Sequence, residues 1–359
     1  MKKLYSLIIA GVLVIPALKS YAQSSSSSND DGFSQLIKSS PGDATKLLQA
    51  YAEPMFKGFG TGLNSGWNNT AATKKLLHFD LRISAAVAQV PTGDQTFDVT
   101  KIGLSNNLKP ADPNKTIAPT FGNNNDVEGP KMNIMSDNGT TVVSSFTLPK
   151  GVFNYVPAPN IQLTIGLVHH TDLTIRTVPK INLGDDAGSV GMIGFGIKHD
   201  VIQDFAKKVP KPFDLALAVN YNRINYTKTL NVKPDAGSQP AAGQSSDFSN
   251  QRIEAHFGGV NVQAIISKKL LFFTPFLAVA YQTASTDLGV LGNYPIASTN
   301  PLAPNQYITV TDPVHINETS VSGMRADLGF QLNLAILRIY ASASTGQYIS
   351  ANAGIGFGF

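Results

Sequence analysis

Apolar and polar residues alternate in long stretches from about residue 76 to the end of the chain. Phe79 and Leu81, for example, alternate with Asp80 and Arg82. Successive side chains of a β-strand point to opposite faces, so this period of two predicts strands with one apolar and one polar face. The same pattern recurs further along the chain, most clearly in 213–230, 322–334 and 349–359. The chain from residue 76 onward is therefore predicted to be all-β.

The alternating segments are numerous and long. They cover 76–90, 95–105, 140–148, 160–169, 172–183, 187–199, 212–230, 250–266, 269–284, 318–332, 335–344 and 347–359, and with room for one further pair in the irregular segment 106–139 they predict 12–14 strands. Most are longer than the ~5–6 residues of an average strand. Their polar faces carry charges of both signs in mid-strand, namely at Asp80, Arg82, Arg325 and Asp327.

Two kinds of fold have strands that alternate in this way. A soluble β-sandwich buries its apolar faces between two sheets, whereas a transmembrane β-barrel turns them to lipid and encloses a polar lumen. Long strands with mid-strand charges favour the barrel. The connections at 231–251 and 286–318 are long and those near residues 170, 268 and 334 are short, which is the asymmetry of outer-membrane barrels. We predict a transmembrane antiparallel β-barrel over residues 76–359.

Residues 33–75 have a different pattern. Leu47 and Tyr51 lie on one face of a short helix that is predicted to begin after Asp43 and to end at Pro54. A glycine-rich loop with several aromatic residues follows. A segment of this size is too small to fold alone. We therefore predict that it packs inside the barrel as an N-terminal helical plug.

The N-terminus has the pattern of an export signal. Lys2 and Lys3 precede a short apolar stretch, which is followed by small residues ending at Ala22. Residues 1–22 are therefore predicted to be a cleaved signal peptide, and the serine-rich residues 23–32 a flexible linker. After the signal, the sequence has no apolar run of the ~18 residues that a membrane-spanning helix needs.

Composition and motifs argue against several kinds of chemistry. The net charge is +4, but three lysines belong to the leader, so the sequence has no basic field for nucleic acid. The chain has no cysteine. His169 and His170 are adjacent on a strand or turn and cannot chelate one ion together. Since the sequence also has no nucleophile or phosphate-loop motif in a suitable context, we predict no enzymatic activity, cofactor or metal site.

The chain resembles a family of uncharacterised outer-membrane proteins that share a domain of unknown function. The stretches that carry the resemblance are GTGLNSGWNNTA, FDLRISAAVAQVP, VPAPNIQLTIGLVHHTDLTIRTVPKI, GFGIKHDVIQDF and the closing GIGFGF. More distantly, the layout is similar to the superfamily of long-chain fatty acid and hydrocarbon channels. That resemblance implies a helical plug inside a barrel of about 14 strands, although the Asn-Pro-Ala triplet of that plug does not occur in this sequence.

These patterns predict a plugged barrel that passes small hydrophobic or amphipathic molecules. The residues expected to contact the plug interior or the cargo are Leu47, Phe56, Phe59 and Trp67. The residues expected to line the lumen wall and hold the plug are Asp80, Arg82, Arg325 and Asp327. The alternative function is that of a barrel without transport, which serves as a surface anchor or assembly partner through its long extracellular loops.

The C-terminal sequence also carries a prediction. Ile355, Phe357 and Phe359 occupy alternate positions, with glycines between them. A closing strand of this pattern turns its apolar face to outer-membrane lipid, and a terminal aromatic residue resembles the signal that the barrel insertion machinery recognises. The predicted location is the outer membrane of a Gram-negative bacterium, and the predicted partners are membrane lipid, that machinery and a small hydrophobic ligand.

Overall fold

The structure is a computed structural model. It describes residues 36, 37, 39–182, 184, 188–205, 212–300, 302 and 305–358. The predicted signal peptide, the linker 23–32 and Phe359 lie outside these residues.

The described chain is almost entirely β-structure. In chain order the strands are β1 (Phe79–Gln89), β2 (Thr96–Asp98), β3 (Leu108–Pro110), β4 (Ile117–Pro119), β5 (Lys131–Met135), β6 (Val142–Thr147), β7 (Tyr155–Gly166), β8 (Thr171–Asn182), β9 (Ser189–Asp200), β10 (Asp214–Thr229), β11 (Gln239–Pro240), β12 (Arg252–Ser267), β13 (Phe273–Leu291), β14 (Asn293–Ala297), β15 (Gln306–Thr311), β16 (Val314–Leu334), β17 (Leu337–Thr345) and β18 (Ser350–Gly358). The helices are α1 (Pro41–Asn64) and the short α2 (Ile202–Phe205), and a 3-10 turn spans Thr92–Asp94.

Ten of these strands close into an antiparallel barrel. Its wall runs β1–β18–β17–β16–β13–β12–β10–β9–β8–β7, and β7 pairs back with β1. The fold class is therefore confirmed. We call the end of the barrel that carries the long connections the outer end, and the end with the short turns the inner end.

The wall has ten strands, so the prediction of 12–14 strands is wrong in number. The segments predicted as strands at 95–105 and 140–148 hold only the short strands β2 and β6. These pair outside the wall, in the sheets β2–β4 and β3–β5–β6. A barrel strand needs about 9–11 residues to cross a membrane, and no strand between β1 and β7 reaches that length. This part of the chain folds over the outer end instead.

The barrel is apolar outside and polar inside. On β1, the side chains of Asp80 and Arg82 are buried, whereas Leu81 is exposed. On β18, Ile355 and Phe357 are 50% and 48% exposed and point away from the lumen. The outward faces of β10 and β13 are likewise apolar in their inner halves, up to Tyr221 and Tyr281. An apolar outer belt around a polar lumen is the arrangement of outer-membrane β-barrels.

Helix α1 lies inside this barrel. It contacts strands on several sides of the lumen, namely β1, β7, β10, β12, β13 and β16. The side chain of Ser40 accepts a hydrogen bond from the backbone N–H of Asp43 and caps its first turn. No helix in the described part of the chain is both long and apolar enough to cross a membrane.

The helix is longer than its sequence predicts. It continues through Pro54 to Asn64, although proline removes one hydrogen bond of the helix interior. Gly58, Gly60 and Gly62 follow Pro54 and face the wall, where a Cβ atom on Gly60 or Gly62 would lie 2.7 Å from that of an alanine. Because the glycines let this half of the helix pack closely against the wall, its burial outweighs the missing hydrogen bond.

Helix α1 runs from the outer end toward the inner end. Near its start, the Asp43 carboxylate accepts hydrogen bonds from the backbone N–H and the hydroxyl of Ser105, which lies in the outer connection between β1 and β7. At the inner end, the backbone N–H of Leu77 donates to the carbonyl of Gly166 at the end of β7. We call the described residues of 36–75 the plug.

Candidate functional site

The outer half of the plug is packed in an apolar cluster. Leu47 and Phe56 have no exposed surface. The ring centroids of Phe56 and Phe59 lie 6.0 Å and 5.4 Å from that of Phe257 on β12. Of the four residues predicted to contact cargo, only Phe59 is partly exposed, since Trp67 is also buried. The other three side chains become accessible only if the plug moves.

An ionic cluster joins the same part of the plug to the outer end of the wall. Lys57 lies 2.8 Å from Glu53 and 3.2 Å from Asp94, and the Tyr348 hydroxyl donates to Asp94 at 2.7 Å. Burial alone would lower the pKa of Lys57, but the hydrogen bonds and charges of Glu53 and Asp94 outweigh it and raise that pKa. The ammonium group therefore stays charged in the packed plug.

The inner end of the plug is held by Arg176 of β8. Its guanidinium donates to the carbonyls of Leu63 and Ser65 at 3.0 and 3.2 Å. It also stacks over the Trp67 ring, with Cζ 3.9 Å from the ring centroid, and donates to the side-chain oxygen of Gln162. The last carbonyls of a helix have no partner within it and carry a partial negative charge. Arg176 therefore caps the C-terminus of helix α1 from the wall.

Arg176 was not among the residues predicted from the sequence. Its segment alternates as clearly as β1 does, with Asp172, Thr174 and Arg176 on the buried face of β8. The same alternation that selected Asp80 and Arg82 could have selected it. What alternation does not reveal is which inward side chain reaches the plug.

Arg82 also holds the plug directly. It donates to the carbonyl of Gly66 at 2.6 Å and to that of Trp67 at 3.1 Å. Its neighbour Asp80 instead accepts hydrogen bonds from two wall residues of β17, Tyr340 at 2.7 Å and Arg338. The two predicted residues thus have different partners, one on the plug and one on the wall.

The predicted residues Arg325 and Asp327 form an ion pair within the wall at 2.8 Å. Gln263 on β12 donates to the Asp327 carboxylate at 2.9 Å and accepts from the plug residue Asn68 at 3.0 Å. The pair therefore reaches the plug through Gln263.

Asparagine amides complete the contact between plug and wall. Asn261 donates to the carbonyl of Asn64 at 2.7 Å, Asn64 donates to that of Thr283 at 3.1 Å, and Asn222 donates to that of Leu63 at 3.3 Å. Most of these bonds join a side chain to a backbone carbonyl. The inner half of the lumen therefore binds the plug by polar contacts, whereas the outer half holds it by an apolar cluster together with the ionic cluster of Lys57.

Trp67 fits into a niche on β9. The ring lies against Gly194 and Gly196, where a Cβ atom would be 3.0 Å and 3.2 Å from the nearest ring carbons. Glycines at alternate positions of this strand therefore leave the space that the ring fills. The sequence alone did not show which plug residue enters this space.

The last loop of the plug carries a half-buried lysine, Lys74. The backbone N–H of Lys74 donates to Asp172 at 2.8 Å, and Asp172 lies 3.2 Å from Lys198, whose ammonium donates to the carbonyls of Thr70 and Ala72. Burial lowers the pKa of Lys74 to about 8, although the charge of Asp80 opposes this shift.

Docking of the plug is expected to tighten as the pH rises from 7 to 9. The pKa of Lys74 is about 8 when docked, against an ordinary 10.5, so the docked state releases a proton that the undocked state keeps. The cost to docking is full below the docked pKa of about 8 and decreases progressively as the pH rises from there toward the ordinary 10.5. Protection of a thiol at Ala71→Cys, measured against pH, tests this. Lys74→Gln should flatten the profile, and an unchanged profile in that variant would contradict the prediction.

The described residues contain no group of three or more His, Cys, Asp or Glu side chains that could hold a metal ion. His169 and His170 lie in the inner turn between β7 and β8, both with positive φ. The site that the structure brings together is thus a polar seat for the plug, and its chemistry is hydrogen bonding to backbone carbonyls.

Comparison with known proteins gives the family of this chain. None of the curated proteins matches it. Among solved structures it is similar to the outer-membrane protease OmpT of Escherichia coli, at 8% identity and a TM-score of 0.32, over 82% of this chain and 100% of that one. It is also similar to the attachment invasion locus protein Ail of Yersinia pestis, at 9% and 0.25 over 79% and 100%, and to a FadL homologue of Pseudomonas aeruginosa, at 11% and 0.21 over 81% and 91%. The model of a family of unknown function (DUF6588) matches residues 1–359, and the chain belongs to that family.

Proposed function

We propose that this barrel passes small hydrophobic or amphipathic molecules across the outer membrane of a Gram-negative bacterium, with the plug as its gate. Export by the signal peptide 1–22 and insertion through the C-terminal strand belong to the same proposal. It assigns the chain no enzymatic activity. The observation that carries it is the change in the lumen from an outer half with a large apolar cluster to an inner half of polar contacts.

The outer half offers a surface for an apolar molecule. Leu47 and Phe56 of the plug meet Phe257 and Ile253 of the wall, and all four are buried. A small shift of the helix would open apolar surface that faces the outer end. Such a surface binds hydrophobic molecules because each Å² removed from water contributes about 25 cal/mol.

The inner half is suited to release. Asn64, Asn222 and Asn261 each bury a side-chain oxygen that has no hydrogen-bond partner among the described residues. An unpaired buried oxygen costs about 1–3 kcal/mol. Movement of the plug exposes these oxygens to water. The free energy gained by their hydration offsets part of the cost of the hydrogen bonds that the movement breaks. Contacts of this kind are suited to a plug that can dissociate from the inner half of the wall rather than to one that is permanently bound.

A disulfide between plug and wall tests the proposal. The hydroxyl oxygens of Ser65 and Ser350 are 3.1 Å apart, and the chain has no cysteine of its own. We expect S65C/S350C to form one disulfide that fixes the plug to β18. In liposomes, the oxidised variant should take up a labelled medium-chain fatty acid no faster than empty vesicles, and reduction should restore uptake.

A matched control places the disulfide within the wall. Thr286 on β13 and Ser320 on β16 have hydroxyl oxygens 2.6 Å apart, so T286C/S320C joins two strands and leaves the plug free. Oxidised T286C/S320C should transport like the unmodified barrel. The proposal fails if the unmodified barrel shows no more uptake than empty vesicles, or if both oxidised variants transport equally well.

The loops at the outer end support a second candidate function, in which the barrel does not transport but presents a binding surface to a partner. The long connections of 230–251 and 292–313 join in one sheet, since β11 pairs with β15 and β15 with β14. The backbone N–H of Thr309 also donates to the side chain of Gln244 at 2.8 Å. Two loops held together in this way form an ordered platform. Removal of residues 236–249 should abolish cross-linking to a surface partner and leave fatty acid uptake unchanged if this candidate is right.

A further inference from the structure

A groove of about 320 Å³ opens on the outside of the wall, where β10, β12, β13 and β16 lie side by side. It is separate from the plug seat, which lies inside the lumen. The residues that matter for its chemistry are Arg223, His256, Gly258, Val260, Ser285 and Asn317.

The groove exists because the outward position at its centre is a glycine. Gly258 pairs with Arg223 on one side and with Ser285 on the other. The side chains of both neighbours are exposed on the outside of the barrel. With no side chain at Gly258 between them, the surface is indented.

The groove lies where the outer face of the barrel changes from apolar to polar. Below it, toward the inner end, Val219, Val262 and Tyr281 form a cross-strand row and are 54%, 46% and 51% exposed. At its outer rim, His256 and Asp287 lie opposite each other in a polar row. In a membrane barrel this transition marks the level of the lipid headgroups. The groove therefore opens to lipid headgroups above and to acyl chains below.

The groups around the groove favour an anion. Arg223 is exposed and makes no ion pair with any residue in the described part of the chain. The carboxylate of Asp287 also lines the groove, and one of its oxygens lies 3.1 Å from the His315 ring nitrogen. His256 has one ring nitrogen 2.8 Å from the side-chain oxygen of Asn225 and donates to it, so the other ring nitrogen donates to an anion only when the ring is protonated at both nitrogens. A free guanidinium matches the geometry of a phosphate group.

We propose that this groove binds one phosphate-bearing lipid of the outer leaflet. The phosphate lies between Arg223 and His256, with further hydrogen bonds from the Ser285 hydroxyl and the Asn317 amide. One acyl chain runs over Val260 and Val262 toward the middle of the membrane. The inference rests on the membrane location in the proposed function and is independent of transport.

Native mass spectrometry of the detergent-purified full chain tests the assignment. The probes are short-chain phosphatidic acid, diacylglycerol with the same chains, and inorganic phosphate. We expect one phosphatidic acid to bind, and neither of the other two. Arg223→Gln should weaken this binding about tenfold, as loss of one charge-assisted contact implies. Gly258→Leu fills the groove and should abolish it.

Arg252→Gln is the matched control, because it removes another outward arginine of the same region that lies outside the groove and pairs with Glu254. It should bind like the unmodified chain. Heat-modifiable migration on gels checks that each variant has a folded barrel. If Arg223→Gln or Gly258→Leu does not fold, His256→Gln replaces it as the test variant.

Binding of inorganic phosphate alone would overturn the lipid assignment. Equal binding by all variants, or equal binding of diacylglycerol, would overturn the site. A barrel that binds phosphatidic acid but fails to take up fatty acid would leave this inference standing and reject only transport.

Discussion

Replacement of Arg176 by methionine is expected to release the inner end of the plug while the barrel stays closed. Arg176 is almost completely buried and supplies hydrogen bonds to Leu63, Ser65 and Gln162 as well as the stacking contact with Trp67. Methionine has a similar length and fills much of the same space, but it cannot donate. The carbonyl of Ser65 then loses its Arg176 donor, whereas that of Leu63 keeps its contacts with the Asn222 amide and the Trp67 ring N–H.

Two opposing effects determine how much the substitution changes the free energy of plug docking. Removal of a buried charge saves its desolvation cost, so replacement of a whole buried polar cluster by apolar residues is often neutral. Here only the donor is removed, and the acceptors stay buried. Loss of charge-assisted bonds costs about 1.5–3 kcal/mol each, so the lost bonds to Leu63, Ser65 and Gln162 dominate. The docking equilibrium should shift by about 3 kcal/mol or more, which is roughly a hundredfold.

A single thiol measures this shift. Ala71 has no exposed surface in the docked plug, and Ala71→Cys gives a chain with one cysteine. Labelling by a maleimide should be about a hundredfold faster in A71C/R176M than in A71C, in line with the docking energy. Arg223→Met removes an arginine from the outside of the wall and should leave the rate unchanged. Equal rates in all three would mean that the other polar contacts suffice to hold the plug.

Much of the wall could be predicted from the sequence because alternation is a local property. It placed Asp80 and Arg82 on the inside, and Ile355 and Phe357 on the outside, where the structure has them. The strand count could not be predicted in the same way. Segments such as 140–148 alternate too, and only the pairing of β6 with β5 shows that they lie outside the wall.

The candidate site could not be predicted in this way, because it is formed by contacts between residues that are distant in the sequence. Arg176 and Leu63 are far apart in the chain, and their contact depends on the depth of helix α1 in the lumen. That depth was hidden by Pro54, which predicted an earlier end of the helix. The close approach allowed by Gly58, Gly60 and Gly62 becomes visible only when the opposite wall residues are known.

Replacement of Gly196 by valine is expected to displace Trp67 from its niche. A Cβ atom at this position would collide with the side-chain oxygen of Asn220 and lie 3.2 Å from the Trp67 ring. Overpacking of this kind typically costs about 1–3 kcal/mol. Either the wall strand or the plug must yield. Strand β9 is hydrogen-bonded to β8 and β10 along its length, whereas the plug is held mainly by side chains, so the plug should move.

Trp67 reports its own position because it is the only tryptophan of the chain. In G196V its fluorescence emission should shift to longer wavelength, and iodide should quench it more strongly, because the ring leaves a site where it is 1% exposed. Gly93→Val is the matched control, since a Cβ atom on Gly93 meets nothing within 4 Å. G196A is a milder form of the same test if valine prevents assembly. Unchanged emission in a folded G196V barrel would mean that β9 yields and the plug remains, and the hydrogen bonds from Arg176 and Arg82 would then hold the plug more firmly than strand pairing holds β9.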